Sequence, residues 1–168
     1  MTILNILTLP DKRLKTIAKP VDIFDAGLIK LKDDMLETMY EAPGIGLAAT
    51  QVDVHKQIVV IDISEEKNNP LCLINPKIIE KSGLQTHEEG CLSVPYIYAK
   101  VKRASSILVE AQNEKGEKIT LEADELLAVC IQHELDHLKG IVFLDHLSPL
   151  KRRMALKKLE KDKIKEND

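Results

Sequence analysis

From residue 28 to residue 40 the chain reads LIKLKDDMLETMY, which sets Leu28, Leu31, Met35, Leu36 and Met39 at spacings near 3.6. Such a stripe predicts a helix packed by one face, and Pro43-Gly44 ends it. Residues 57–63 (QIVVIDI) and 70–79 (PLCLINPKII) are rich in β-branched and apolar side chains and predict strands. SSILVEAQ and EKITLEA flank Asn113-Glu114-Lys115-Gly116, the pattern of a hairpin with glycine in its turn. Between residues 124 and 139 apolar positions crowd a second helix, with Asp124 as its N-cap and Gly140 at its end. Ser148-Pro149 has the cap-then-proline form that opens a third helix. Helices and strands do not alternate regularly, so the pattern predicts an α+β fold rather than a parallel α/β sheet. No repeat, low-complexity tract or linker divides the chain. The expectation is one domain over residues 1–168, with 148–168 a basic C-terminal helix and tail.

Composition narrows the setting. At 168 residues, 44% hydrophobic and 30% charged, the chain can bury a core without disulfides. No apolar run approaches the ~20 residues of a membrane span. The N-terminal stretch lacks the basic region and cleavage site of a secretory signal. Three cysteines, an odd number, argue against a disulfide framework and for a reducing compartment, here the cytoplasm. The net charge of −3 hides an asymmetry. From Ser148 onward eight Lys/Arg meet four Asp/Glu, a net +4, while the remainder carries 16 basic and 23 acidic residues, a net −7. A basic tail on an acidic body fits either docking to something anionic, such as RNA, or a solvated amphipathic helix.

Candidate chemistry centres on CIQHELDHL, residues 130–138. His133 and His137 stand one helical turn apart and can clasp one cation, while Glu134, turned ~100°, faces a reacting water as a general base. The flanking helix is too apolar for a surface, and burying two imidazoles and a carboxylate without partners costs several kcal/mol. Two histidines still leave a catalytic metal short of a ligand. Cys130 lies seven residues from His137, ~10.5 Å along the axis, and a metal–sulfur bond of ~2.3 Å cannot reach between the histidines from there. It reads instead as a small apolar wall residue beside the site. Asp136 faces away, and nothing around His146 favours its folding back. Cys91, in the glycine-containing loop EEGCLSVP, remains. The set Cys91, His133 and His137 leaves a fourth position open for water, as catalytic sites require.

GIGLAATQ, residues 44–51, matches a dinucleotide fingerprint by letter only, because a helix and a proline precede it where a strand is needed. Its glycines let backbone approach a ligand closely, and Gln51 offers a neutral amide that can hold an oxyanion. Two other readings of the histidine pair are a general endopeptidase and a His₂Cys electron-transfer site, for which Met154 is a poor axial ligand.

Together GIGLAATQ, EEGCLSVP and QHELDH, in this order and spacing, closely resemble the three signature motifs of the peptide deformylase family, over essentially the full chain. The resemblance implies an α+β fold with small antiparallel sheets around the helix that bears HELDH. It implies a hydrolase that removes the formyl group from N-formylmethionine on newly synthesised polypeptides and releases formate. Cys91, His133 and His137 would hold the metal, commonly Fe(2+) in the cell, with Zn(2+), Ni(2+) or Co(2+) able to substitute. Glu134 would move the proton, and Gln51 with the backbone N–H of Leu92 would hold the formyl oxygen. Ile45 and Gly46 would align the peptide as an added strand, and Ile45, Leu126, Val129 and Cys130 would line the methionine pocket. The basic helix would meet the ribosome, with no sequence-specific nucleic-acid contact, and the protein would act as a monomer. Two departures stand out. YIYAKVKR follows Pro95 where many relatives carry a glutamate and an arginine, and His87 takes a position that is often apolar.

Overall fold

The computed structural model describes residues 2–167. Helix α1 (Ala26–Glu41) opens at Asp25, whose carboxylate accepts the Leu28 N–H at 3.0 Å, and it buries Leu28, Met35 and Met39. The expected stripe is therefore the packed face. Strands β1 (Gly46–Ala48), β2 (Ile58–Ile61), β3 (Leu71–Ser82), β6 (Ser106–Gln112) and β7 (Lys118–Asp124) form one antiparallel sheet in the order β1-β2-β3-β6-β7. The expected hairpin is β6–β7, and Gly116 takes φ +82° in its turn, a conformation open to glycine. Strands β4 (Gln85–Cys91) and β5 (Val94–Arg103) pair separately as a second, two-stranded sheet.

All four residues of β2 are buried, and their alternation explains why. Ile58 and Val60 pack with Met35 and Met39 of α1 on one face. Val59 and Ile61 pack with Ala128, Ile131 and Leu135 of helix α2 (Glu125–Leu138) on the other. The larger sheet thus lies between two helices, and α2 turns its opposite side towards the β4–β5 hairpin. A third cluster joins Val94, Ile97 and Val101 of β5 to Leu7, Leu9, Phe143 and Leu159. Through Leu159, helix α3 (Pro149–Asn167) rests on the hairpin, so its basic residues ride on a helix with a packed side. The α+β expectation holds.

Local expectations need three corrections. EEGCLSVP is not a loop: Cys91 closes β4 opposite Val94, with Leu92-Ser93 as the turn between the strands. Backbone pairing, rather than glycine and proline alone, holds this cysteine. Asp124 stands at the cap position of α2, but its side chain makes no capping bond; the Glu125 N–H reaches the Ser105 carbonyl instead. His146 does fold back, because a 3-10 turn over Phe143–His146 returns the chain to α2.

Candidate metal centre

The three expected ligands converge. Cys91 arrives from the end of β4, and His133 and His137 arrive from consecutive turns of α2. One donor atom from each lies within 4.8 Å of the other two, and no other cluster of this kind exists among the described residues. Cys91 Sγ stands 3.3 Å from His137 Nε2. Two donors sharing one small divalent cation, with bonds of about 2.0–2.3 Å, stand roughly 3.3–3.6 Å apart. Cys130 lies outside the cluster, as the helix geometry requires, and burial pushes its thiol up to about 12, which keeps it neutral.

Electrostatics favour a cation at this point. Burial opposes a charged His133, yet the carboxylate of Glu134, with Cys91 and Glu89, holds its pKa well above the usual imidazole value. Surroundings that favour a proton at this ring favour any positive charge there. His137 is driven the other way, chiefly by burial, and stays neutral, the form a metal ligand needs. Burial also pushes the Glu134 carboxyl up to about 7, against the pull of His133. Glu134 Oε1 and His137 Nδ1 are buried without a hydrogen-bond partner. An unpartnered buried carboxylate oxygen is costly, and beside three converging donors it fits a site that receives a cation and a polar reactant. Among the described residues nothing pairs with His137 Nδ1.

Behind the ligands lies an ionic chain that the sequence reading did not foresee. Glu89 Oε1 accepts His133 Nδ1 at 2.9 Å, so the Nε2 side of that ring is the one free to bind. Arg103, from the far end of β5, grips Glu89 with Nε and Nη2 at 2.6 and 2.9 Å. Its Nη1 also reaches Asp136 at 2.8 Å, and His146 Nε2 meets the same Asp136 oxygen at 2.8 Å. Glu89 and Arg103 are both buried, and breaking such a pair costs about 3–5 kcal/mol. The sequence signal was the second glutamate of EEGC, one place before the glycine. Its partner 14 residues later carries no local mark.

Every other predicted site residue is in the same place. Gln51, Leu92, Glu134, Ile45, Gly46, Leu126, Val129, Cys130, Cys91 and His133 all line one cleft of about 740 Å³, ordinary for a ligand site. His137 does not line the cleft; it is fully buried behind Cys91, with Nε2 3.3 Å from that sulfur. Gln51 sits on a 3-10 turn (Ala49–Val52) that follows β1 directly. Its Oε1 accepts the Ala48 N–H at 2.9 Å, and this fixes which way the amide faces. Nε2 then points to Ser93 Oγ at 3.0 Å and towards Cys91 Sγ at 3.6 Å. Gly46 has a specific reason to lack a side chain: a Cβ there would collide with Glu134 Oε2. The close approach expected of this glycine is therefore to the carboxylate itself. His87 and the Tyr96–Tyr98 stretch of β5 form the outer wall.

Comparison with known proteins agrees with this geometry. The Polypeptide deformylase family model matches residues 3–153. A peptide deformylase of Pseudoalteromonas translucida is 60% identical over 162 residues, 96% of this chain and 97% of that one. One of Neisseria gonorrhoeae is 61% identical, covering 96% of each. Among solved structures, a peptide deformylase from Legionella pneumophila superposes with a TM-score of 0.95 at 47% identity, covering 99% of this chain and 98% of that one. The Ehrlichia chaffeensis enzyme in complex with actinonin gives 0.92 at 43%, covering 96% and 98%. A match over nearly the whole length, with the three converging donors in place, makes this chain a member of the polypeptide deformylase family.

Proposed function

We propose that this chain, as a single catalytic domain over residues 1–168, hydrolyses the formyl group from N-formylmethionine at the start of new polypeptides. It would act in the cytoplasm as a monomer and hold iron(II) at Cys91, His133 and His137. The observation that carries this reading is the meeting of those three donors beside the unpartnered Glu134 oxygen. A divalent cation held there supplies Lewis acidity, lowering the pKa of a water molecule towards neutrality and polarising a carbonyl oxygen.

The protein's own groups do the rest. Glu134 takes the proton from the attacking water and passes it to the departing amine, a service worth roughly 10²–10⁴-fold. Its raised pKa, about 7, makes it able both to accept and to release that proton near neutral pH. Gln51 Nε2 and the Leu92 N–H receive the charge that develops on the formyl oxygen; each such donor is worth about 10²–10³-fold. The Gln51 amide is already oriented by Ala48, so little rearrangement is needed as the charge forms. Strand β1 is an edge of the larger sheet, and Ile45 and Gly46 offer its open side to an extended peptide. Leu126, Val129 and Cys130 from α2, with Ile45, line an apolar pocket for the methionine side chain.

A purified, metal-loaded sample should release formate from formyl-Met-Ala-Ser and leave casein intact. Internal cleavage of casein, with no formate released, would replace this reading by that of an endopeptidase. Thiolate and imidazole donors favour Ni²⁺ and Zn²⁺ over Fe²⁺ by affinity alone, so loading with iron(II) under anaerobic conditions belongs to the assay.

No helix among the described residues is long and apolar enough to cross a membrane. The basic residues of α3 would dock to the anionic surface of the ribosome, which their charge and the family resemblance both support. Removing the residues after Leu159 keeps the packed side of α3, Leu156 and Leu159 included, and takes away Lys161, Lys163 and Lys165. This should weaken co-sedimentation with ribosomes while formyl-peptide hydrolysis persists; undiminished co-sedimentation would count against the assignment.

A further inference from the structure

Asp62 is a buried acid with no part in the chemistry at the metal centre. It follows β2 directly and is 3% exposed. Its carboxylate accepts from four neutral donors: the Tyr40 hydroxyl at 2.6 Å, the Ser64 N–H at 2.9 Å, the Ser64 hydroxyl, and the Asn69 N–H at 3.2 Å. Burial opposes its charge, but the bonds from Ser64, Tyr40 and Asn69 outweigh it and hold the carboxyl below its usual value. A hidden carboxylate whose partners are all neutral is costly to keep, and it depends on those bonds being made together.

What these bonds join is the frame of the peptide-receiving edge. Tyr40 lies in the last turn of α1, and residues 42–46, which line the cleft, carry the chain from there into β1. The Gly44 N–H bonds back to the Met39 carbonyl at 2.7 Å, and the Asp62 N–H bonds to the Ile45 carbonyl at 2.8 Å. Asp62 therefore holds this segment twice, by its backbone at Ile45 and by its side chain at Tyr40. The consequence falls on Gly46, which stands opposite Ile61, next to the Ile45–Asp62 pair. Successive residues of an antiparallel strand turn their N–H and C=O groups to opposite sides. With Ile45 turned towards β2, Gly46 faces the open edge.

We propose that Asp62 is a positioning residue for the substrate: by clamping Tyr40 and Ile45 together it fixes the direction in which Gly46 offers its backbone groups to the formyl peptide. Asp62 and Tyr40 are not part of the cleft wall, so both act through the strand and neither touches the peptide. Main-chain bonds to an added strand supply affinity, and a strand free to tilt makes them poorly. This inference rests on the deformylase reading and concerns peptide affinity rather than the chemical step.

The test measures KM and kcat for formyl-Met-Ala-Ser in the metal-loaded wild type and in Asp62→Asn, Tyr40→Phe and Val109→Ala. Tyr40→Phe deletes one donor and keeps the ring, so it decides the matter even where Asp62→Asn fails to fold. Val109 is buried on β6, three strands from β1 in the same sheet, and its truncation controls for lost stability alone. Asp62→Asn and Tyr40→Phe should each raise KM by about 2- to 12-fold, the net worth of one hydrogen bond. Their kcat should stay at the wild-type value, since the interaction lost is not one made only in the transition state. Val109→Ala should lower the melting temperature and leave KM unchanged. An unchanged KM in Tyr40→Phe, a fall in kcat in place of the rise in KM, or an equal rise in KM for Val109→Ala would overturn the clamp. A metal-loaded wild type that releases no formate would instead remove the deformylase reading, and the clamp with it.

Discussion

Exchanging Glu134 for glutamine is expected to leave the metal bound and to lower kcat by about 10²–10⁴-fold, the usual worth of a positioned general base. Glutamine matches the shape and keeps a hydrogen-bonding tip, so packing against Gly46 should survive. What disappears is the ability to take up a proton. The geometry makes this a clean experiment. Glu134 is no member of the donor cluster, its Oε1 has no hydrogen-bond partner among the described residues, and the proposed ligands His133 and His137 would bind through their own ring nitrogens. A substitution that emptied the site would confuse loss of base with loss of metal, so metal content per chain must be measured alongside turnover. Full metal with near wild-type turnover would mean that the proton leaves by another route and that Glu134 is structural.

Why the carboxylate behaves this way can be traced to burial. A glutamate in water sits near 4.3, too weak a base to hold a proton in transit at neutral pH. Desolvation against Gly46, whose missing side chain leaves just enough room, lifts Glu134 to about 7. The same burial would be wasteful for a purely structural group. Glu89 shows the contrast: it is equally hidden, but Arg103 and His133 bond it, and together they outweigh burial and hold its pKa below the carboxylate norm. Two carboxylates beside one another are thereby set apart, one held charged against His133 and Arg103 and one raised to about 7, as the proposed proton transfer requires.

The fold and the site were legible to different degrees. Helix α1 and the β6–β7 hairpin were visible because each is specified locally, by a stripe of apolar residues or by a turn sequence with glycine where φ is positive. The two histidines were visible for the same reason, since helical spacing places them. Cys91 needed an argument by reach, which holds because the rise of a helix is fixed whatever surrounds it. What stayed hidden was pairing over distance. That EEGC ends a strand depends on its opposing Val94 and the register of the whole hairpin, and neither is written within EEGC. The chain from His133 through Glu89, Arg103 and Asp136 to His146 gathers five residues from β4, β5, α2 and a 3-10 turn. No short window of sequence contains it. Asp136 was rightly placed away from the metal, but its two partners, Arg103 and His146, could be found only once the hairpin was seated on α2.

The central claim, that the sulfur from β4 and not the nearer one on α2 completes the site, predicts opposite fates for two conservative substitutions. Cys91→Ser replaces a thiolate donor by a poorly acidic hydroxyl. Loss of an outer-sphere partner alone weakens metal affinity by 10–100-fold, so losing the ligand itself should cost more than about 100-fold and most activity with it. Cys130→Ser removes only a neutral wall thiol, so a metal bound by the other three side chains should stay. Metal per chain after dialysis against a competing chelator, determined side by side for the two purified variants, decides the matter. We expect the Cys91 variant to emerge empty and the Cys130 variant loaded; equal depletion of both, or retention in the Cys91 variant, would contradict the site as described.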